Sequence, residues 1–230
     1  MSHEHQSLLE AFQHLVSTRP KEKVLMVPNG AEYEEINYQE FDIIINKYAN
    51  YWICGDSVSG VWNTQEHISL MIKGAQIMKI MPNAYSLNVD WIPVDVASQS
   101  IVDISLSAPF VNGGDYVRVN HILNPKHVTW NEFLKSLQQS GIDFKIVSNK
   151  EWLNTLLNTP EYQNVDKNPV AALSGFFEKA MSESLEKHEP LFETQKSSSR
   201  SLALSNCQKI DAKLIKLYVN HWKNISFLDS

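Results

Sequence analysis

Ile53-Cys54-Gly55-Asp56, then Gly60-Val61-Trp62-Asn63, then Asp90-Trp91-Ile92-Pro93-Val94-Asp95-Val96-Ala97 are the runs on which the reading of this chain turns. Ile53 is strand-like. Asn63, with Glu66 three residues on, can cap a helix whose buried stripe is Ile68, Met71, Ile72, Ala75 and Met78. Residues 89–94 have a strand-like centre, with Pro93 suited to a strand end. Asp95 then stands where it can accept backbone N–H bonds at the start of a helix carrying Ala97, Ile101 and Ile104.

Downstream, Asn112-Gly113-Gly114-Asp115 reads as a turn and residues 116–120 as a half-buried strand. Thr129-Trp130-Asn131-Glu132 is a capping box opening a helix with Phe133, Leu134 and Leu137 on the face of Trp130; Ser140-Gly141 stops it. Residues 144–147 form a short strand. Ser148 and Glu151 make a second capping box ahead of Trp152, Leu153, Leu156 and Leu157. A helix is expected from Pro169 to Met181, a polar loop around Pro190 and from Lys196 to Arg200, and a final helix capped by Asp211 with Leu214, Ile215, Tyr218, Val219 and Trp222 on one side. Strand and helix alternate, which is an α/β pattern.

Upstream, Leu8, Leu9, Phe12, Leu15 and Val16 fall at helical spacing. Residues 24–27 and 33–38 flank Pro28-Asn29-Gly30 as a hairpin, and Tyr38, Phe41, Ile45, Tyr48, Ala49 and Trp52 stripe a second helix.

The 230 residues are 43% hydrophobic, enough to bury a core. A formal charge of -6, with scattered basic residues, argues against nucleic acid or an anionic membrane as partner. No apolar run reaches the roughly 18 residues of a membrane helix, and the start lacks a signal core, so a cytoplasmic protein is expected. The only cysteines, Cys54 and Cys207, read as reduced thiols, and Cys54, with no His or Lys beside it, as inert. His3 and His5 could bind a stray metal but fall at a terminus expected to fray, and His121 with His127 fits no standard zinc spacing, so no metal is expected.

The opening runs, in their order, resemble the thioester reductase domains that close many nonribosomal peptide synthetase-like and aminoadipate reductase-like enzymes. There a Cys-Gly-Asp segment and a Trp-Asn helix start follow the nucleotide-binding core, and an Asp-Trp-Ile-Pro-Val-Asp run leads into the next helix. The likeness continues at Val119-Asn120, Asn124-Pro125, Glu151-Trp152-Leu153, Pro190-Leu191-Phe192-Glu193-Thr194 and Ile210-Asp211. Residues 1–52 resemble instead the opening of an adenylate-forming (AMP-binding) domain, at Asn37-Tyr38-Gln39-Glu40-Phe41-Asp42 with Asn46 and Ala49. The resemblance implies two pieces, 1–52 and 53–230. It implies an α/β fold class: the C-terminal, substrate-side part of an extended short-chain dehydrogenase/reductase, with a small α+β N-terminal piece and the nucleotide-binding Rossmann core missing.

Family members use NADPH to release a carrier-bound acyl thioester as aldehyde or alcohol. That reaction needs a glycine-rich turn letting the backbone approach the cofactor pyrophosphate, and this chain's eight glycines form no such motif. It needs a Tyr with Lys four residues on, to lower the phenol pKa, and none of the eight tyrosines has one. The phosphopantetheine attachment serine of a carrier is absent too, because Gly113-Gly114-Asp115 continues into Tyr116. The glycine/serine/threonine-rich phosphate loop and the later lysine of adenylation have no matching segment either.

The expectation is therefore a truncated homologue of a carrier-dependent adenylate-forming reductase, without catalytic or cofactor-binding residues of its own. NADPH and a phosphopantetheine carrier belong to the intact family. Trp62, Asn63, His67 and Trp91 are the expected lining of the substrate region, against a competing role for the tryptophans as core. A non-catalytic module docking on a carrier protein or intact synthetase is a second reading, and an incomplete gene product a third. Aminoadipate as the acyl group rests on resemblance alone.

Overall fold

The computed structural model describes residues 23–29, 32–37, 53–83, 88–107, 120–183 and 192–229. The helices expected at residues 8–16 and 38–52, the turn at 112–115, most of the strand at 116–120 and the loop at Pro190 lie outside them.

The expected hairpin is present as β1 (Lys23–Asn29) antiparallel to β2 (Glu32–Asn37), in a register that sets Pro28 opposite Tyr33. From Ile53 onward the order is β3 (Ile53–Cys54), α1 (His67–Met78), β4 (Ile80–Pro82), β5 (Asn88–Val89), β6 (Ile92–Pro93) and α2 (Val94–Ser107). There follow β7 (Val128–Thr129), α3 (Trp130–Gln139), β8 (Lys145–Val147), α4 (Asn149–Asn158), a 3-10 turn (Pro169–Leu173), α5 (Ser174–Glu183), α6 (Gln195–Ser198), α7 (Leu202–Asn206) and α8 (Ala212–Asn224). Among the described residues the strands pair only in twos: β3 with β6 and β4 with β8 in parallel, β5 with β7 antiparallel. Parallel pairs need helical crossovers, and the helices supply them, which gives the α/β class.

Three helix starts follow from their sequence. Thr129 accepts the Glu132 N–H while the Glu132 carboxylate accepts the Thr129 N–H, closing the box that begins α3. Asp211 accepts the Leu214 N–H at 3.0 Å to begin α8, and all five residues of its expected stripe are buried. Ser148 caps α4 through the Glu151 N–H; Glu151 returns no bond, so only half of the second box forms.

Five expectations need correction. The strand expected at residues 89–94 is split into β5 and β6 around Asp90 and Trp91. Asp95 caps nothing: it lies inside the first turn of α2, and its carboxylate accepts the Ser57 N–H at 2.9 Å and the Ser57 hydroxyl at 2.6 Å. Ile101, expected in the buried stripe of α2, is 47% exposed, whereas Ala97 and Ile104 are buried. The expected polar loop at Lys196–Arg200 contains α6, whose Ser197 is wholly buried. The Pro169 helix is a 3-10 turn running into α5.

One main core joins α1, α3, α4 and α8 through Ile72, Ala75, Phe133, Leu134, Leu137, Trp152, Tyr218 and Trp222. Ile92, Ala97, Leu204 and Cys207 form a smaller cluster where α7 packs on α2. Gly74 lets the 3-10 turn approach α1, since a Cβ there would sit 2.6 Å from Val170 Cγ1.

Candidate functional site

The expected substrate-region residues gather around the start of α1. Asn63 does not cap this helix, contrary to expectation. Its side chain accepts the Gln65 N–H at 3.0 Å, its backbone carbonyl accepts the Ser69 hydroxyl at 2.8 Å, and the helix begins four residues later with Glu66 at the N-cap. Glu66 gives no side-chain cap either, because its carboxylate is drawn to the indole N–H of Trp62 at 2.6 Å. The helix thus opens without a side-chain cap, and the positive end of its dipole stands beside Asn63 and His67.

Trp62 and Trp91 meet edge to face with ring centroids 5.8 Å apart, and both are under 10% exposed. Both belong to the main core, where Trp62 stacks on Trp222 and meets Tyr218 edge-on, while Trp91 meets Phe133 edge-on. Asn63, in contrast, is exposed, and His67 is half-buried against Phe176. The structure therefore joins the four residues in one neighbourhood but gives them two depths.

Three residues that sequence reasoning did not assign to this region hold it in shape. The Tyr218 hydroxyl donates to the Gly55 carbonyl at 2.7 Å, and the Trp222 indole N–H to the Trp62 carbonyl at 3.1 Å. Their spacing of four along α8 is the available signal, though it reads equally as core. Asn124 is 3% exposed; its amide donates to the carbonyls of Trp91 and Gln208, and its oxygen accepts the Lys126 N–H. Every polar group of that side chain is matched, so the strand entering α2 is held by hydrogen bonds as well as packing.

Burial governs the electrostatics. It holds the His67 imidazole down at about 4, so the ring is neutral at pH 7. It raises the Glu66 carboxyl, with the Trp62 hydrogen bond acting in the opposite sense, and raises Asp90 likewise. The Cys54 thiol is pushed up to about 12 by burial, the bond with Tyr218 notwithstanding, and Cys207 to about 11. Both thiols are free and buried, as expected of inert cysteines. A neutral imidazole, an exposed amide and a helix N-terminus suit an uncharged polar group such as a carbonyl or amide. No cluster of three or more metal-ligating side chains occurs among the described residues, and no described helix is long and apolar enough to cross a membrane.

Compared with solved structures, this chain superimposes on the terminal R domain from the myxalamid PKS-NRPS biosynthetic pathway with a TM-score of 0.64 at 19% identity, over 90% of this chain and 57% of that one. The chain has the fold of a terminal reductase domain. A thiolation-reductase di-domain from an archaeal nonribosomal peptide synthetase matches with a TM-score of 0.56 at 13% identity, over 93% of this chain and 46% of that one. By sequence, the chain is 32% identical over 186 residues to a 3-methylorcinaldehyde synthase of Phoma sp, and 25% identical over 229 residues to a non-reducing polyketide synthase of Monascus ruber. Those matches take in 77% and 91% of this chain but only 7% and 8% of the relatives' own length. No family model matches. None of these matches adds to the likeness of residues 1–52 to an adenylation domain.

Within this reductase fold the described residues do not fit NADPH. A dinucleotide needs a strand-to-helix turn where glycine lets the pyrophosphate reach free N–H groups. The junction of β6 with α2 runs Pro93-Val94-Asp95 and puts a carboxylate in the first turn, where it would repel phosphate. Gly55 and Gly60 are filled against Trp62 and Leu217, and Gly74 against Val170, so none of the three leaves a cradle.

Proposed function

We propose that this chain is the substrate-side portion of a reductase that releases carrier-bound acyl thioesters, and that hydride transfer requires a nucleotide-binding core its own residues do not form. The likeness to the terminal R domain, over 90% of this chain and 57% of that one, carries the reading. NADPH, when bound in such a core, supplies the hydride. This chain's part is to hold the acyl thioester, with Asn63 and His67 at the uncapped start of α1 as polar contacts, backed by the Trp62–Trp91 pair in the core. Being neutral, His67 can accept or donate one hydrogen bond without drawing a charge into the site.

A phosphopantetheine carrier is the proposed partner, supported by the thiolation-reductase pairing of the archaeal di-domain. The pieces 1–52 and 53–230 are proposed as separate units, the first of adenylate-forming descent. An adenylate-forming, aminoadipate-reductase-like ancestry is a finer reading resting on the motif resemblance.

The test is binding of an acyl-pantetheine thioester to the full chain by isothermal titration calorimetry. Saturable binding, weakened roughly threefold to tenfold by Asn63→Ala or His67→Phe through loss of one hydrogen bond, is expected. Absence of binding by a folded chain, or equal binding by both variants, would overturn the assignment.

A further inference from the structure

We propose that the outer face of α8, with the turn carrying Val58 and Val61, is the docking surface for the phosphopantetheine carrier; this rests on the reading of a carrier-bound acyl thioester as substrate. α8 (Ala212–Asn224) holds three lysines, one histidine and no carboxylate, in a chain whose formal charge is -6. Its inner face is core, through Leu214, Ile215, Tyr218, Val219 and Trp222, while Lys213, Lys216 and Asn220 are exposed on the other side.

The helix does not account for its own lysines. Lys213 stands in the first turn, where the positive end of the dipole disfavours a cation, and Lys216 follows three residues on. Neither belongs to an ion pair within 4 Å among the described residues. Charges placed against a local rule, with no local partner, point to a role outside the helix.

The turn beside them is apolar and already ordered. Gly60 presses on α8, since a Cβ there would lie 2.9 Å from Leu217 Cγ, and on either side of it Val58 is 81% and Val61 53% exposed. Asp56, the one carboxylate of residues 55–63, turns inward to accept the N–H groups of Val58 and Ser59, and Ser57 donates twice to Asp95. The two valines are therefore presented to a partner with little ordering left to do. Asn63, at the end of the same loop, is the polar contact assigned to the acyl group.

A carrier fits this surface in charge and in place. The phosphodiester that joins pantetheine to the carrier serine is an anion at the carrier's surface, complementary to Lys213 and Lys216, and apolar groups around it would meet Val58 and Val61. The arm then passes Val61 to reach Asn63 and His67. A second copy of this chain, docked through the same face, would set lysines against lysines.

The full chain is titrated, by fluorescence anisotropy, into the dye-labelled, phosphopantetheinylated thiolation domain of the archaeal di-domain. Saturable binding that weakens with added salt is expected. K213Q/K216Q, both at exposed positions, should keep its melting temperature and bind about tenfold more weakly with a flatter salt dependence, as for two lost charge contacts. V58S/V61S should also bind more weakly, and Lys145→Gln, on β8, as the parent does. Free acyl-pantetheine should bind the parent and K213Q/K216Q alike; if it binds neither while carrier binding persists, the acyl-site assignment falls and this surface stands. No carrier binding by the parent, equal binding by K213Q/K216Q, or self-association of the chain that K213Q/K216Q abolishes, would overturn the proposal.

Discussion

Tyr218 shows how much one hydroxyl can hold. It donates to the Gly55 carbonyl, lies 3.5 Å from the Cys54 sulfur and meets the Trp62 ring, with no exposed surface. Tyr218→Phe keeps the ring and leaves a buried carbonyl unmatched, so a loss of about 1–3 kcal/mol is expected in urea unfolding. Cys54 gives an independent check. A thiol held at about 12 stays protonated near pH 8, so Cys54 should react with a disulfide reagent only after unfolding. His67 sets a pH dependence of known sign. Its folded pKa of about 4 lies below its unfolded value of about 6.5, so the unfolded chain takes up the proton first. The stability this group contributes is complete above about pH 6.5 and is lost as pH falls toward 4, by at most about 3 kcal/mol. Glu66, raised by burial, works in the opposite direction over the acid range. Comparing His67→Gln with the parent isolates the histidine: the variant should lose the acid-side decline in denaturant stability, and an unchanged decline would rule His67 out as its source.

At the scale of elements, the capped helices are the firmest structures. Thr129→Ala removes one half of the α3 box and should cost about 1 kcal/mol, measured by thermal or denaturant unfolding. Gly74→Ala adds a methyl 2.6 Å from Val170 where α1 and the 3-10 turn meet, so a loss of about 1–3 kcal/mol is expected there. These elements were also the most legible in the sequence. Thr129, Ser148 and Asp211 announce their helices because capping is local chemistry, decided within four residues. The errors arose where a side chain found a distant partner. Asp95 looked like a cap and instead binds Ser57, 38 residues earlier; Asn63 looked like a cap and instead closes its own turn, while Trp62 draws Glu66 away. Ser197 sits in a polar run and is nonetheless buried, which composition cannot reveal.

At the scale of the whole molecule, the α/β class and the reductase likeness were legible because the runs at Cys54-Gly55-Asp56, Trp62-Asn63 and Asp90–Asp95 fall in a fixed order. The depth of the candidate residues was not, since indole spacing is the same for a core residue as for one lining a surface. Trp62 is buried by Tyr218 and Trp222, more than 120 residues downstream, and Trp91 by Trp62 and Phe133. The proposed function divides the labour, with substrate held by this fold portion and NADPH by a core elsewhere. Titrating the full chain with NADPH and following nicotinamide fluorescence tests it most directly: no saturable change is predicted, and saturable binding in the micromolar range would contradict the account.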